Sequence, residues 1–118
     1  MIEQDQDGKN SDTMKPLPVS NLRYTLSGTV IVLNRNPSPD LDLLNTTVEI
    51  YKNNGYLRYF TVGAKDTNTT INDVDTTKDT IKIVISAKDI YYMSDPTTIE
   101  IPKYQAVVET GVSTGTTT

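Results

Sequence analysis

The sequence predicts an all-β fold, an antiparallel sandwich of about seven or eight strands with extended N- and C-terminal tails. Three observations predict it. In Thr80–Ser86, Ile81, Ile83 and Ile85 alternate with Lys82, Val84 and Ser86. Successive strand side chains point to opposite faces, so three β-branched groups share one side of a central strand. Turn signals recur roughly every 8–12 residues along the chain, the spacing of short strands in a sandwich. The rest is rich in threonine and holds no long helical period.

Taken in order, residues 1–20 are polar and aperiodic, and Pro16 and Pro18 flank Leu17. Proline disfavours helix in the residue before it, so Met14–Val19 is expected to run extended. Ordering twenty residues costs on the order of 20 kcal/mol, with little apolar burial to offset it. The segment therefore reads as an arm that orders on a neighbour, with Leu17 and Val19 as its apolar anchors. From Asn21 to Asn34, Leu22, Tyr24, Leu26, Val30 and Val32 share a parity. This predicts one long strand or two collinear ones, with Gly28 as a bulge or a close backbone approach.

Asn36-Pro37-Ser38-Pro39-Asp40 is a turn, and Leu41, Leu43 and Leu44 are expected to cover one end of the core. Thr46–Lys52 is a strand with Val48 and Ile50 inward. Asn53-Asn54-Gly55 signals a tight hairpin, because Asn and Gly tolerate positive φ. Tyr56–Val62 returns, with Tyr56, Arg58 and Phe60 on one parity and Leu57, Tyr59 and Thr61 on the other. Thr69–Val74 is a short strand ahead of the isoleucine strand. Asp89–Tyr92 is a turn, and Asp95-Pro96 breaks again before strands at Thr97–Ile101 and Tyr104–Glu109. Residues 111–118 form a low-complexity tail. The division is thus an arm at 1–20, one sandwich at 21–110 and a tail at 111–118.

Composition removes several chemistries. The chain of 118 residues has 15 acidic and 11 basic residues, a net charge of −4, and no Lys/Arg cluster, which argues against a nucleic-acid partner. Without Cys there is neither a disulfide nor a thiolate metal site, and without His the usual base near neutral pH is missing. No stretch has the apolar length of a membrane span, and the N-terminus has no secretory signal. Asp5–Asp12 departs from a calcium loop in the position of its glycine and in lacking the distal Glu. Asp66, Asn68, Asp73, Asp75 and Asp79 crowd two loops, which a shared end of the sandwich would bring together. Such residues bind a hard cation or, more commonly, bond their own backbone as turn-formers. The acceptor sequences at Asn45 and Asn68 are what a Thr- and Asn-rich chain produces by chance. No motif sets two carboxylates across a cleft, so the chain is read as non-enzymatic, with no catalytic, cofactor-binding or metal residue. Tyr56, Arg58 and Phe60, beside the hairpin tip, form the best contact patch, since tyrosine is enriched at protein interfaces.

The order Leu26-Ser27-Gly28-Thr29-Val30, a loop, then Asn45–Tyr51 resembles the first strands of Ig-like and transthyretin-like sandwiches. Thr69–Val74 and the isoleucine strand resemble the later strands of fibronectin-type modules. The likeness spans residues 22 to 109 and departs at Thr46 and Thr47, where such domains often place a glycine. It implies an Ig-like β-sandwich. A small sandwich with polar arms is also similar to auxiliary head, decoration or fibre-base proteins of tailed bacteriophages. That resemblance implies a structural virion component assembled in the host cytoplasm. It would dock on capsid, neck or tail subunits as a homo- or hetero-oligomer, through Leu17, Val19, Tyr56, Arg58 and Phe60. The alternative is a cell-surface adhesion module that recognises carbohydrate or protein through its loops.

Overall fold

The computed structural model describes residues 14–103. Seven strands follow in sequence: β1 (Ser20–Ser27), β2 (Val30–Asn36), β3 (Asn45–Lys52), β4 (Gly55–Val62), β5 (Asn68–Ile71), β6 (Ile81–Lys88) and β7 (Thr97–Ile101). They form two antiparallel sheets, β1-β2-β5 and β4-β3-β6-β7, so the chain is an all-β sandwich. The expected strand at Tyr104–Glu109 and the tail at 111–118 lie outside the described residues, as do residues 1–13.

The isoleucine alternation is the centre of the core. Ile81, Ile83 and Ile85 are fully buried on β6, which lies between β3 and β7. Val48 and Ile50 of β3 pair with Ile85 and Ile83, and the facing sheet contributes Ile31, Leu33 and Ile71. The β3–β4 hairpin turns at Asn53 (φ 51°) and Asn54 (φ 71°), the positive values that asparagine tolerates.

Three sequence expectations are corrected. Residues 20–36 are a hairpin and not collinear strands: Gly28, at φ 65°, turns the chain and Ser27 pairs with Val30. A lone glycine in an apolar alternation reads equally as bulge or turn. Pairing across a two-residue turn sets even residues opposite odd ones. The inward set is therefore Leu22, Tyr24 and Leu26 on β1 but Ile31, Leu33 and Arg35 on β2.

The second correction concerns Val19. It is 2% exposed and belongs to this chain's own core, so it is no anchor for a neighbouring subunit. Its carbonyl accepts the Thr97 hydroxyl at 2.6 Å, which fixes residues 14–19 against the start of β7.

The third is the facing of β4. Its register against β3 shifts between Ile50, which pairs with Arg58, and Tyr51, which pairs with Tyr56, leaving Leu57 as an extra residue. A bulge of one residue reverses parity on one side of it. Tyr56 is consequently exposed, on the outer face with Tyr51, while Arg58, Phe60 and Val62 are half-buried. Tyr56, Arg58 and Phe60 do not form one patch.

Candidate functional site

Antiparallel order brings four segments to one end of the sandwich: residues 14–19, the β2–β3 loop (37–44), the β4–β5 loop (63–67) and the β6–β7 loop (89–96). They are tied to one another. The Leu17 amide donates to Asp40 Oδ2 at 3.2 Å, Lys15 Nζ reaches Asp95 Oδ1 at 2.6 Å, and the Leu44 amide donates to the Lys88 carbonyl at 2.7 Å. Lys65 Nζ donates to the carbonyls of Ser38 and Asp40. Beneath these loops Arg35 is buried, and its Nη1 donates to Thr69 Oγ1 at 2.9 Å. Burial lowers the Arg35 pKa, and the charge of Asp66 opposes that shift.

The β6–β7 loop is built by Asp89. Its carboxylate is buried and accepts the amides of Tyr91 at 2.7 Å and Tyr92 at 2.6 Å. The Ser94 hydroxyl then receives the Ala87 amide at 2.9 Å, closing the loop onto β6. We expect Asp89→Ala to cost about 2 kcal/mol, because two part-buried amides lose a charged acceptor that is itself buried. Hydrogen exchange at the Tyr91 and Tyr92 amides would rise, and Asp89→Asn, which keeps an acceptor oxygen, would lose less.

On this framework sit large apolar side chains that remain exposed. Leu41 is 73% exposed, Ile90 68%, Tyr91 62% and Leu44 54%. Tyr92, Met93, Met14 and Leu17 are exposed beside them in the same segments. Of the three β2–β3 leucines expected to cover one end of the core, Leu43 is half-buried but Leu41 and Leu44 are not. Leu41 and Leu44 are exposed while Ser38 and Asp40 of the same loop are buried. Single exposed leucines need no explanation, but here eight large apolar groups are exposed at one braced end of the sandwich. Of the sequence-predicted residues, Leu17 is the one placed here. The sequence reads Asp89–Tyr92 as a turn, with Tyr91 and Tyr92 among the tyrosines that suit a contact, and the aperiodic run of four large groups between Asp89 and Asp95 is the signal that marks it.

The remaining predicted residues lie elsewhere. Arg58 bridges the open side of the sandwich, its Nη2 and Nε meeting Asp73 Oδ1 and Oδ2 at 2.7 and 3.0 Å. Its guanidinium lies 5.0 Å from the Phe60 ring centroid, and Phe60 packs against the core. The hydrogen bond from Arg58, and after it the guanidinium charge, holds Asp73 below the ordinary carboxylate range. A carboxylate with a depressed folded-state pKa stabilises above its unfolded pKa and loses that contribution as pH falls through the folded value. Both side chains are substantially exposed, so Arg58→Ala should cost about 0.5–1 kcal/mol at pH 7. Urea titrations should show the difference shrinking as pH falls below the ordinary aspartate range and Asp73 protonates, leaving the contribution of the Phe60 contact.

The aspartates of the two loops do not share an end. Asp66 sits at the apolar end, where it accepts the Gly63 amide at 2.9 Å. At the opposite end Asp75 accepts the amide of Thr77 and Asp79 accepts Asn53 Nδ2, at 2.9 and 2.8 Å. The hydroxyl and amide of Thr77 lower the Asp75 pKa.

No family model and no curated protein sequence matches the chain. Solved structures do. The chain is similar to the spore cortex lytic enzyme SleM of Clostridium perfringens, at 29% identity and a TM-score of 0.57, over 79% of this chain and 31% of that one. It resembles the fn3 domain of the human collagen α-1(XX) chain at 16% identity, TM-score 0.60, over 84% and 92% of the two chains. Chicken CNTN1 FN1–FN3 domains match at 14% identity, TM-score 0.63, over 74% and 31%. The chain thus spans about a third of SleM and of the CNTN1 fragment. Seven strands in sheets of three and four, with these likenesses, give the chain the fibronectin type III and Ig-like sandwich fold.

Proposed function

We propose that the chain is a non-enzymatic interaction module that seats the loop end of its sandwich on another protein domain. The observation that carries this is the braced apolar end, with Leu41, Leu44, Ile90 and Tyr91 exposed above loops fixed by hydrogen bonds. Rigid presentation lowers the ordering cost of binding, so apolar burial converts more fully into affinity. The aliphatic character favours a protein surface over a carbohydrate, since Leu41, Leu44 and Ile90 offer neither hydrogen bonds nor stacking rings. Similar sandwiches cover only part of SleM and of the CNTN1 fragment, which supports an accessory role beside other domains. Docking on virion subunits, which the sequence resemblance implied, would be one instance of this role. The likenesses to fibronectin-type modules lend that particular assembly no support.

The test compares amide exchange in the protein isolated from its natural source, with its associated components, against the purified chain. Protection of Leu41, Leu44 and Ile90–Met93 in the former supports the reading. Equal exchange at these amides in both preparations refutes it.

A further inference from the structure

Among the described residues the sandwich has four edge strands, β1, β5, β4 and β7, and they are unequally guarded against pairing. β5 has four residues and β7 has five. β1 starts with an irregular register between Ser20 and Arg23, with Asn21 at φ 53°. Short length and irregularity are the usual protections of an edge. β4 has eight residues, and its bulge at Leu57 disrupts only its beginning. From Arg58 to Val62 the register is regular. This stretch carries no lysine, proline or acidic residue, and its single charge, Arg58, turns inward to Asp73. It is a strand edge without the charges that ordinarily repel a second strand.

We propose that β4 pairs antiparallel with β4 of a second copy, about a two-fold axis through Phe60. The two four-stranded sheets would become one continuous sheet of eight. Self-pairing keeps inner residues opposite inner ones only when the axis passes through a residue. An axis through Arg58 would set two guanidiniums face to face, which is unfavourable. The axis through Phe60 alone pairs the whole regular stretch with itself. Phe60 then meets its own counterpart on the inner face, and Arg58 lies opposite Val62. On the outer face Tyr59, 61% exposed in the single copy, covers Thr61 of the other chain. No like charges oppose one another, and the occupant with a matching sequence of inward and outward groups is the strand itself. The contact is narrow, so its dissociation constant should fall on the order of 10–100 μM.

Sedimentation velocity over a concentration series tests both pairing and register. The purified chain should pass from monomer to dimer. Tyr59→Lys with Thr61→Lys sets two ammonium pairs directly opposite and should weaken association by about tenfold or more. That change lowers the magnitude of the net charge, so general repulsion cannot account for the loss. Tyr59→Lys with Thr61→Glu sets opposite charges across the same axis and should restore the dimer. Since the chain has no cysteine, a mixture of Tyr59→Cys and Thr61→Cys chains should oxidise to the mixed disulfide in preference to either homodimer. A wild-type chain that stays monomeric at several hundred micromolar overturns the proposal, and any partner at β4 would then be a foreign strand. Equal association of all three forms, or disulfides indifferent to position, overturns it as well.

Discussion

Val19→Asp should unfold the sandwich or leave it barely stable, losing at least about 4 kcal/mol. Val19 is 2% exposed within a cluster that includes Ile31, Leu33, Ile83 and Ile101. A carboxylate there either ionises without a cation or stays protonated among alkyl groups, and both are costly. Total stabilities of such domains are roughly 5–15 kcal/mol, so this single change consumes much of the margin. Val19→Ala, which only removes methyl groups, should cost about 2 kcal/mol. Leu17→Asp, two residues earlier at 39% exposure, should stay within about 0.5 kcal/mol of the parent. Urea unfolding followed by far-UV circular dichroism measures all three, and tyrosine emission serves as a second probe because the chain has no tryptophan. If residues 14–19 were an arm for a neighbour, Val19→Asp would leave the isolated chain untouched. The contrast between Val19 and Leu17 therefore separates a strap of the core from a docking segment.

Why the sequence misplaced Val19 while it located β6 follows from what each signal contains. Ile81, Ile83 and Ile85 form a pattern inside one strand, and burial on one face is all that pattern requires. Val19 is buried by residues far from it in sequence, Thr97 among them, and the prolines around Leu17 favour an extended segment wherever it lies. The facing of Tyr56 failed for a related reason. A bulge is a property of two paired strands, and the extra Leu57 is visible only against Ile50 and Tyr51. Gly28 was legible as an interruption, but whether a glycine bends a strand or reverses it depends on what pairs beyond it.

The apolar end was the least legible part of the candidate site. Leu41 and Leu44 read as core residues because leucine is usually buried, yet in this loop the buried residues are the polar Ser38 and Asp40. Ile90–Met93 has no periodicity, so nothing in it specifies a strand or helix face. Its backbone is held by the buried carboxylate of Asp89, whose Oδ1 accepts the amides of both Tyr91 and Tyr92. Loops held by polar groups beneath and apolar groups above give no strand-like pattern, yet they are how a sandwich presents a fixed surface.

Ile83→Ala should cost about 3–4 kcal/mol and lower the melting temperature by about 15 °C. Ile83 is fully buried on the strand with a neighbour on each side, paired with Ile50 of β3 and Ile99 of β7. Removing three carbons there forfeits their transfer energy and leaves a cavity that two flanking strands resist closing. Ile83→Val, smaller by one methylene, should cost about 1 kcal/mol. Ile90→Ala removes the same atoms from a side chain 68% exposed, and the expected change in stability is within about 0.5 kcal/mol. On the proposed function the order reverses for binding. Ile90→Ala should weaken docking while Ile83→Ala, measured at a temperature where it remains folded, should leave docking intact. Thermal denaturation and amide exchange on the two variants read the two effects separately. An Ile90→Ala chain as destabilised as Ile83→Ala would mean that the loop end belongs to the core. It would then not be a surface kept for another domain.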